Sequence, residues 1–237
     1  MNNSSFSCTC IIPFFNEGER IFEVLRIVTK ERAIQQIICV DDGSIDNSAE
    51  KIQKNFPQVE LIQLTKNQGK TAAIQAGLKK AKSQNIFLLD ADLHNLQPGS
   101  LDSTIQCFLS NPSISMIIWR RTFSPLISKL DRADILFSGE RILKKKDLED
   151  SLKLQPKGFE VEAAINQHIQ QQGKKSGWVH SSAKNTYKIE KYGLLQGFWR
   201  ELLMVYEIIY FLGIRNTLRQ FLYFCHEELC IDTQSNK

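Results

Sequence analysis

Ile37-Ile38-Cys39-Val40 runs straight into Asp41-Asp42-Gly43-Ser44-Ile45-Asp46. Four apolar residues bounded by turn residues suit a short strand shielded on both faces. The acids, glycine and serine that follow have turn composition. Gly43 permits a tight reversal, and Ser44 or Asp46 can cap a following helix. A turn with a helix cap accounts for Ser44 and Asp46. Two carboxylates at a strand end can also accept hydrogen bonds, one from a base N–H and one from ribose hydroxyls. Asp42 is the acid we assign to a ligand.

Working outward, the same alternation repeats. Cys8 to Pro13 is a buried-strand candidate, and Asn16-Glu17-Gly18-Glu19 opens a helix. Ile21, Val24, Leu25 and Val28 give that helix one apolar face. Ala49, Ile52 and Phe56 mark a second helix, ended by Pro57, before a third strand from Val59 to Leu64. A polar stretch, Lys66 to Lys70, leads into a helix of small residues that reaches Lys82. Ile86 to Leu89 is a fourth strand and stops at Asp90-Ala91-Asp92. Leu101, Ile105 and Phe108 mark a helix, and Met116 to Trp119 a fifth strand. Strands alternating with helices predict an α/β fold, a mainly parallel sheet with helices on both faces. Ligands bind such sheets beyond the carboxyl ends of the strands. Asn16-Glu17, Asp41-Asp42 and Asp90-Ala91-Asp92 all fall there.

The 237 residues suit one domain with a small appendage, and 42% apolar content is ordinary for a globular chain. A formal charge of +4 is too mild for nucleic acid binding. It suits anionic small substrates or weak attraction to an anionic membrane surface. The six cysteines show no C-x-x-C spacing, so a zinc site is not expected. Cys39 reads as a small core residue, and the set suits a reducing compartment. Met1 to Ser7 has neither a basic n-region nor a long apolar run, so a cytoplasmic location is expected.

Asp90-Ala91-Asp92 places two carboxylates one residue apart after a buried strand. Together they can reach one hard divalent cation, which also takes oxygens from substrate phosphates. Such an ion neutralises charge on a departing diphosphate.

Pro13-x-x-Asn16-Glu17, Val40-Asp41-Asp42-Gly43-Ser44-x-Asp46, Asn67-x-Gly69-Lys70 and Leu89-Asp90-Ala91-Asp92 occur in this order. Together they resemble family 2 glycosyltransferases of the GT-A fold, a family that includes polyprenyl-phosphate sugar synthases and polysaccharide enzymes. The resemblance covers roughly residues 8 to 120. It implies a Rossmann-like sheet that binds a nucleoside-diphosphate sugar of UDP or GDP type, with Mg²⁺ or Mn²⁺. By that resemblance Pro13, Asn16 and Glu17 line the nucleotide pocket and Asp42 contacts the base. Lys70 lies near the nucleotide, Asp90 with Ala91 meets the ribose or sugar, and Asp92 binds the metal.

The later residues are less regular. Ser138-Gly139-Glu140-Arg141 resembles the family's acceptor-side loop, where Arg141 can pair with a phosphate; a plain helix start is the alternative. Arg120, Arg121, Arg132 and Lys144-Lys145-Lys146 read mostly as surface charge. Gly158-Phe159-Glu160-Val161-Glu162 resembles a segment of some retaining members whose last Glu organises acceptor or sugar. Glu162 takes that role, with Glu160 the competitor; on a helix the two point to different sides. Glu149-Asp150 resembles the acid pair of inverting members, and both stereochemical outcomes are kept. His180, after Gly177-Trp178-Val179, resembles a late histidine that completes the metal site with Asp92. His94 is its rival.

Lys188 to Glu228 reads as one or two helices broken near Gly213. Leu194 to Leu212 is apolar but carries Arg200, Glu201 and Glu207. Each such charge costs roughly 2.5–3.5 kcal/mol at a bilayer centre, so a spanning helix is not expected. Gln196, Arg200 and Glu207 form a narrow polar stripe. The wide remaining face must cover the domain, a second copy of the chain, or a lipid interface. The expected organisation is a GT-A domain over 1–187 (donor half about 8–120, acceptor half about 121–187) and a C-terminal helical extension over 188–237. The expected activity is metal-dependent hexosyl transfer from a nucleotide sugar to a glycan, a lipid phosphate or a small molecule. Two alternatives are weighed. A sugar nucleotidyltransferase would want a glycine-rich phosphate loop after the first strand, which Pro13-Phe14-Phe15-Asn16-Glu17 is not. A catalytically inactive transferase-like binding module sits badly with the intact acid pair.

Overall fold

The computed structural model describes residues 8–121, 132–158, 160–185, 203 and 206–229. Its first part repeats strand and helix: β1 (Cys8–Phe14), α1 (Arg20–Val28), β2 (Ile34–Asp41), α2 (Ser48–Asn55), β3 (Glu60–Gln63), α3 (Lys70–Lys80) and β4 (Asn85–Leu88). A short β5 (Leu93–His94), α4 (Ser100–Ser110) and β6 (Ile114–Arg121) follow. Then come α5 (Ala133–Leu136), β7 (Arg141–Lys144), α6 (Lys145–Leu152), α7 (Glu160–Gln171), β8 (Lys175–Ser181) and β9 (Lys184–Asn185). Helical residues 206–212, α8 (Ile214–Tyr223) and β10 (Glu227–Glu228) complete the described chain.

Eight strands form one sheet in the order β10-β8-β6-β7-β4-β1-β2-β3. β7 pairs antiparallel with both β4 and β6, and the other pairings in this sheet are parallel. Two reversals across β7 make β6 and β8 run the same way as β4. The carboxyl ends of β1, β2, β4, β6 and β8 therefore share one rim. β7 runs backwards, so its first residue, Arg141, is at that rim too, in register with Leu88 and Ile118.

The sequence explains why this sheet is covered on both faces. Along β1, Cys10 and Ile12 pack on one side with α1, α2 and α4 residues such as Val24, Ile52 and Ile105. Ile11 packs on the other with α3 and α7 residues such as Ile74 and Ile165. Burying each large aliphatic side chain contributes about 1.5–3 kcal/mol. Cys8, Cys10, Cys39 and Cys225 are buried as free thiols, and burial holds their ionisation well above the ordinary range. Trp119 fixes β6 by packing edge-on to Phe87, with its indole N–H donating 2.8 Å to Thr104 Oγ1.

The α/β expectation holds, and the structure adds what the irregular stretch hid. Arg120 to Lys157, basic and with less regular apolar spacing, contains β7 and α6. A four-residue strand that starts and ends on a cation carries almost no periodic signal. The expected break at Gly213 is present: φ there is +76°, between two helical segments. The helical extension is present as well, and it returns to the sheet, since β10 pairs with β8. The division at residue 187, and the stripe residues Gln196 and Arg200, lie outside the described residues.

Candidate active site

The rim is built from four loops. Phe14 and Asp41 end their strands in register. The Asp42 amide donates 2.9 Å to the Phe14 carbonyl, and Leu64 donates 2.8 Å to the Asp41 carbonyl. Asp41 then closes its own turn by accepting from Ser44 N at 2.8 Å. Asn16, with φ +53°, locks the first loop to the second. Its amide donates to Ser44 Oγ and its Oδ1 accepts from the Ile45 amide, both at 2.9 Å. Asp46 accepts from Gly18 N and from Ser48 N and Oγ. Burial pushes its carboxyl up, but these hydrogen bonds outweigh it and hold the group below the usual range. Pro13 is half-buried at the end of β1, and Glu17 pairs with Arg20 at 3.0 Å.

Asp42 is buried, and both its oxygens hold the third loop. Oδ1 accepts from Gln68 N at 2.7 Å and Oδ2 from Gly69 N at 2.8 Å. Gly43, at φ +78°, lies against the Lys66–Asn67 peptide so closely that a Cβ would stand 2.6 Å from Lys66 C. The turn after β2 and the loop before α3 therefore form one packed unit. Its product is the position of Lys70, the first residue of α3.

Lys70 joins two distant acids. Its Nζ donates to Asp90 Oδ1 and to Glu162 Oε1, each at 2.7 Å. Burial alone would pull the ammonium's pKa down; the two carboxylates outweigh that and hold it well above the ordinary lysine value. Lys70 is therefore a cation at any physiological pH. Glu162 faces this cluster from the first turn of α7, whereas the Glu160 carboxylate turns back to accept from Lys157 N at 2.7 Å. Asp90 is further confined by Gly139 and, two residues on, Asp92 is half-buried at the turn into β5, with Ala91 buried between them.

Arg141 is turned into the protein. It is fully buried, and its guanidinium donates to the Ser138 carbonyl, to Asn166 Oδ1 at 2.9 Å and to the Glu162 carbonyl at 3.4 Å. With four of its five donors on carbonyl oxygens inside the protein, its fork holds the 138–141 turn to α7. Burial is also what lowers its pKa. His180 is exposed on β8 and its Nε2 lies 3.2 Å from Glu228 Oε1 on β10, with its ring edge-on to Trp178. His94 Nδ1 lies 3.2 Å from Glu23. Glu149 and Asp150 sit on α6, where Asp150 pairs with Lys146 and Lys153. Among the described residues no three His, Cys, Asp or Glu side chains are grouped as a closed metal site. A site that takes some of its oxygens from substrate phosphates does not require one.

Asp134 went unnoticed in the sequence. It is buried and accepts from Arg120 Nε at 2.8 Å, while the same guanidinium lies 4.9 Å from the Trp178 ring. Arg120, read as surface charge, is instead part of the packing beside β8.

Comparison with known proteins now adds to this geometry. The family model described as "Glycosyl transferase family 2" matches residues 9–160. Over 93 residues the chain is 40% identical to undecaprenyl-phosphate 4-deoxy-4-formamido-L-arabinose transferase of Pseudomonas fluorescens, a match covering 36% of this chain and 27% of that protein. Over 96 residues it is 36% identical to dolichyl-phosphate beta-glucosyltransferase ALG5C of Trichomonas vaginalis, covering 35% and 28% respectively. The chain thus matches little more than a quarter of the length of these relatives. In fold it is similar to glucosyl-3-phosphoglycerate synthase from Mycobacterium tuberculosis, solved in complex with Mn²⁺ and uridine-diphosphate-glucose. The TM-score is 0.70 at 14% identity, covering 88% of this chain and 79% of that one. Mannosyl-3-phosphoglycerate synthase from Rubrobacter xylanophilus gives a TM-score of 0.69 at 17% identity, covering 92% and 76%. The fold is GT-A, and the chain belongs to glycosyl transferase family 2.

Proposed function

We propose that this chain transfers a hexose from a nucleoside-diphosphate sugar, of UDP or GDP type, to an acceptor hydroxyl or phosphate. The observation that carries the reading is the convergence, on one rim, of Asp42, Lys70, Asp90 and Glu162 from four separate segments. Asn16, Glu17 and Pro13 form the adjoining wall, where the nucleotide would lie along the turn that Asp42 holds. A carboxylate offers about four lone-pair positions, so Asp42 can accept from a base as well as from Gln68 and Gly69. Lys70 keeps positive charge in a half-buried place next to where a diphosphate would sit, and Asp90 and Glu162 fix its direction. Glu162, rather than Glu160, would position sugar or acceptor.

The donor set suits a hard divalent ion of the Mg²⁺ or Mn²⁺ type: carboxylate oxygen at an open turn, to be completed by phosphate oxygens. Asp92 would hold it, and His180 would join by exchanging Glu228 for the ion. Such an ion supplies charge neutralisation on the leaving diphosphate. The names of the relatives support a lipid phosphate as acceptor, and such an acceptor would bring the chain to a membrane surface, whichever compartment holds it. No helix of the described residues is long and apolar enough to cross one.

Calorimetric titration with UDP, GDP and their hexose conjugates, with and without Mn²⁺, tests the reading. Metal-enhanced binding of one nucleotide family is expected. Absence of binding to every one of them would overturn it.

A further inference from the structure

Helix α8 turns its aliphatic residues outward. Its two buried positions are polar, Thr217 and Gln220, with Gln220 Nε2 donating 3.0 Å to the Ala163 carbonyl of α7, and beside them Phe221 packs edge-on to Phe137. Its aliphatic residues face solvent: Ile214 is 69% exposed, Leu218 56% and Leu222 60%. These three stand at i, i+4 and i+8, so they form one ridge along the helix. Tyr223 is exposed on the adjoining row, and on the preceding helical turns Tyr206 and Tyr210 are exposed and stacked with ring centroids 6.3 Å apart. Scattered exposed leucines need no explanation, but a contiguous ridge of this kind does.

The charges say what covers it. Arg215 and Arg219, both exposed, form the column beside the ridge, and the helix sequence IRNTLRQFLY contains no acid. Arg219 and the exposed Lys175 line one groove next to Tyr223, with Glu227 the carboxylate on its wall. A second copy of the chain is a poor partner for this face. A two-fold crossing centred at Leu218 would set Arg219 against its own copy, with no carboxylate on either helix to separate them. An anionic lipid surface supplies the missing counter-charge, takes the aliphatic ridge into its outer acyl layer, and accommodates tyrosines at headgroup level.

We propose that α8 is a membrane-docking helix: Ile214, Leu218 and Leu222 enter the interface of an anionic bilayer while Arg215 and Arg219 lie on its headgroups. The docking stands apart from the transfer chemistry, since none of these residues belongs to the rim cluster.

The test is co-sedimentation of the full chain with vesicles of phosphatidylcholine alone and with one quarter phosphatidylglycerol. The chain is expected to bind the anionic vesicles. Exchanging Leu218 and Leu222 for serine should weaken binding at least tenfold, in line with the loss of two buried leucines. The pair Arg215→Glu and Arg219→Glu should remove the preference for anionic vesicles. All four positions are exposed, and unchanged thermal melting would show that the variants fold. The proposal fails if the wild-type chain stays in the supernatant with both vesicles. It also fails if neither pair of substitutions alters binding. A dimer in sedimentation velocity that the serine variant dissociates, without vesicle binding, would assign the ridge to a second copy instead.

Discussion

Gly139 rests directly on the carboxylate of Asp90: a Cβ at residue 139 would stand 2.5 Å from both Asp90 oxygens. Neither side has room to give. Asp90 is held by Lys70, and the 138–141 turn is held by Arg141 and by the Glu140 carbonyl, which accepts from Trp119 N at 3.0 Å. Gly139→Ala should therefore push Asp90 off Lys70. We expect transfer to fall about 10²-fold, the scale of a misplacement of about 1 Å, with stability lowered by about 1–3 kcal/mol. Steady-state kinetics and urea unfolding of the same preparation check both.

Lys70→Met leaves Asp90 and Glu162 facing each other without their cation. One carboxyl should then take up a proton in the folded state at a higher pH than in the unfolded chain. A folded-state pKa raised in this way makes stability decline as pH rises through the neutral range. The deficit relative to wild type is thus largest at pH 7, about 3–5 kcal/mol, and shrinks toward pH 5. Urea unfolding at the two pH values checks the sign. In the wild-type chain the Lys70 pKa is raised, so its contribution is complete below the unfolded lysine value and persists through mildly alkaline pH.

Arg141→Lys separates a clamp from a phosphate ligand. One ammonium cannot reproduce donation to Ser138, Asn166 and Glu162 together. Loss of stability of about 2–4 kcal/mol is expected, with kcat reduced and the KM for a phosphorylated acceptor little changed. A selective rise in that KM would return Arg141 to the acceptor site.

The fate of Arg141 shows what a sequence reading can reach. Asp42 and Asp90 stood out because a parallel sheet collects the loops at its carboxyl ends, and each acid directly follows an apolar strand. Lys70 and Glu162 stood out one by one, but not their meeting at Asp90. The Lys70–Glu162 contact spans 92 positions, and no local pattern encodes it. Arg141 read as a phosphate ligand from the resemblance of Ser138 to Arg141 to an acceptor-side loop, and its burial was hidden because it depends on β7, a strand of four residues wedged between β4 and β6. Helix α8 hid its orientation in the opposite way. Its apolar spacing suggests a face against the domain, and the contacts of Gln220 with Ala163 and of Phe221 with Phe137 reveal which side is inward.

Asp42→Asn tests whether that acid serves the fold, the nucleotide, or both. The amide keeps one acceptor oxygen but sets an NH₂ against either Gln68 N or Gly69 N, each of which now donates to Asp42. A stability loss of about 1–3 kcal/mol is expected from the broken loop contact. If Asp42 also accepts from the base, the affinity for UDP or GDP should drop at least tenfold, and discrimination between the two should narrow. A change in stability alone, with nucleotide selectivity intact, would confine Asp42 to holding the loop.

Asp92→Ala addresses the metal. In the wild-type chain, Mn²⁺ should strengthen diphosphate binding, and removing it with EDTA should abolish transfer. In the variant, nucleotide affinity without metal should stay near the wild-type level, because the Asp42 turn and Lys70 are intact. The gain on adding Mn²⁺ should vanish, and kcat should fall by roughly 10³ or more. Titration with and without the ion separates this from general damage, since an unfolded or distorted rim would lose the metal-free affinity as well. A gain from Mn²⁺ that survives in Asp92→Ala would place the ion on other oxygens. His180→Ala then supplies the complementary measurement: it should weaken the Mn²⁺ effect only if the ring leaves Glu228 when the ion binds.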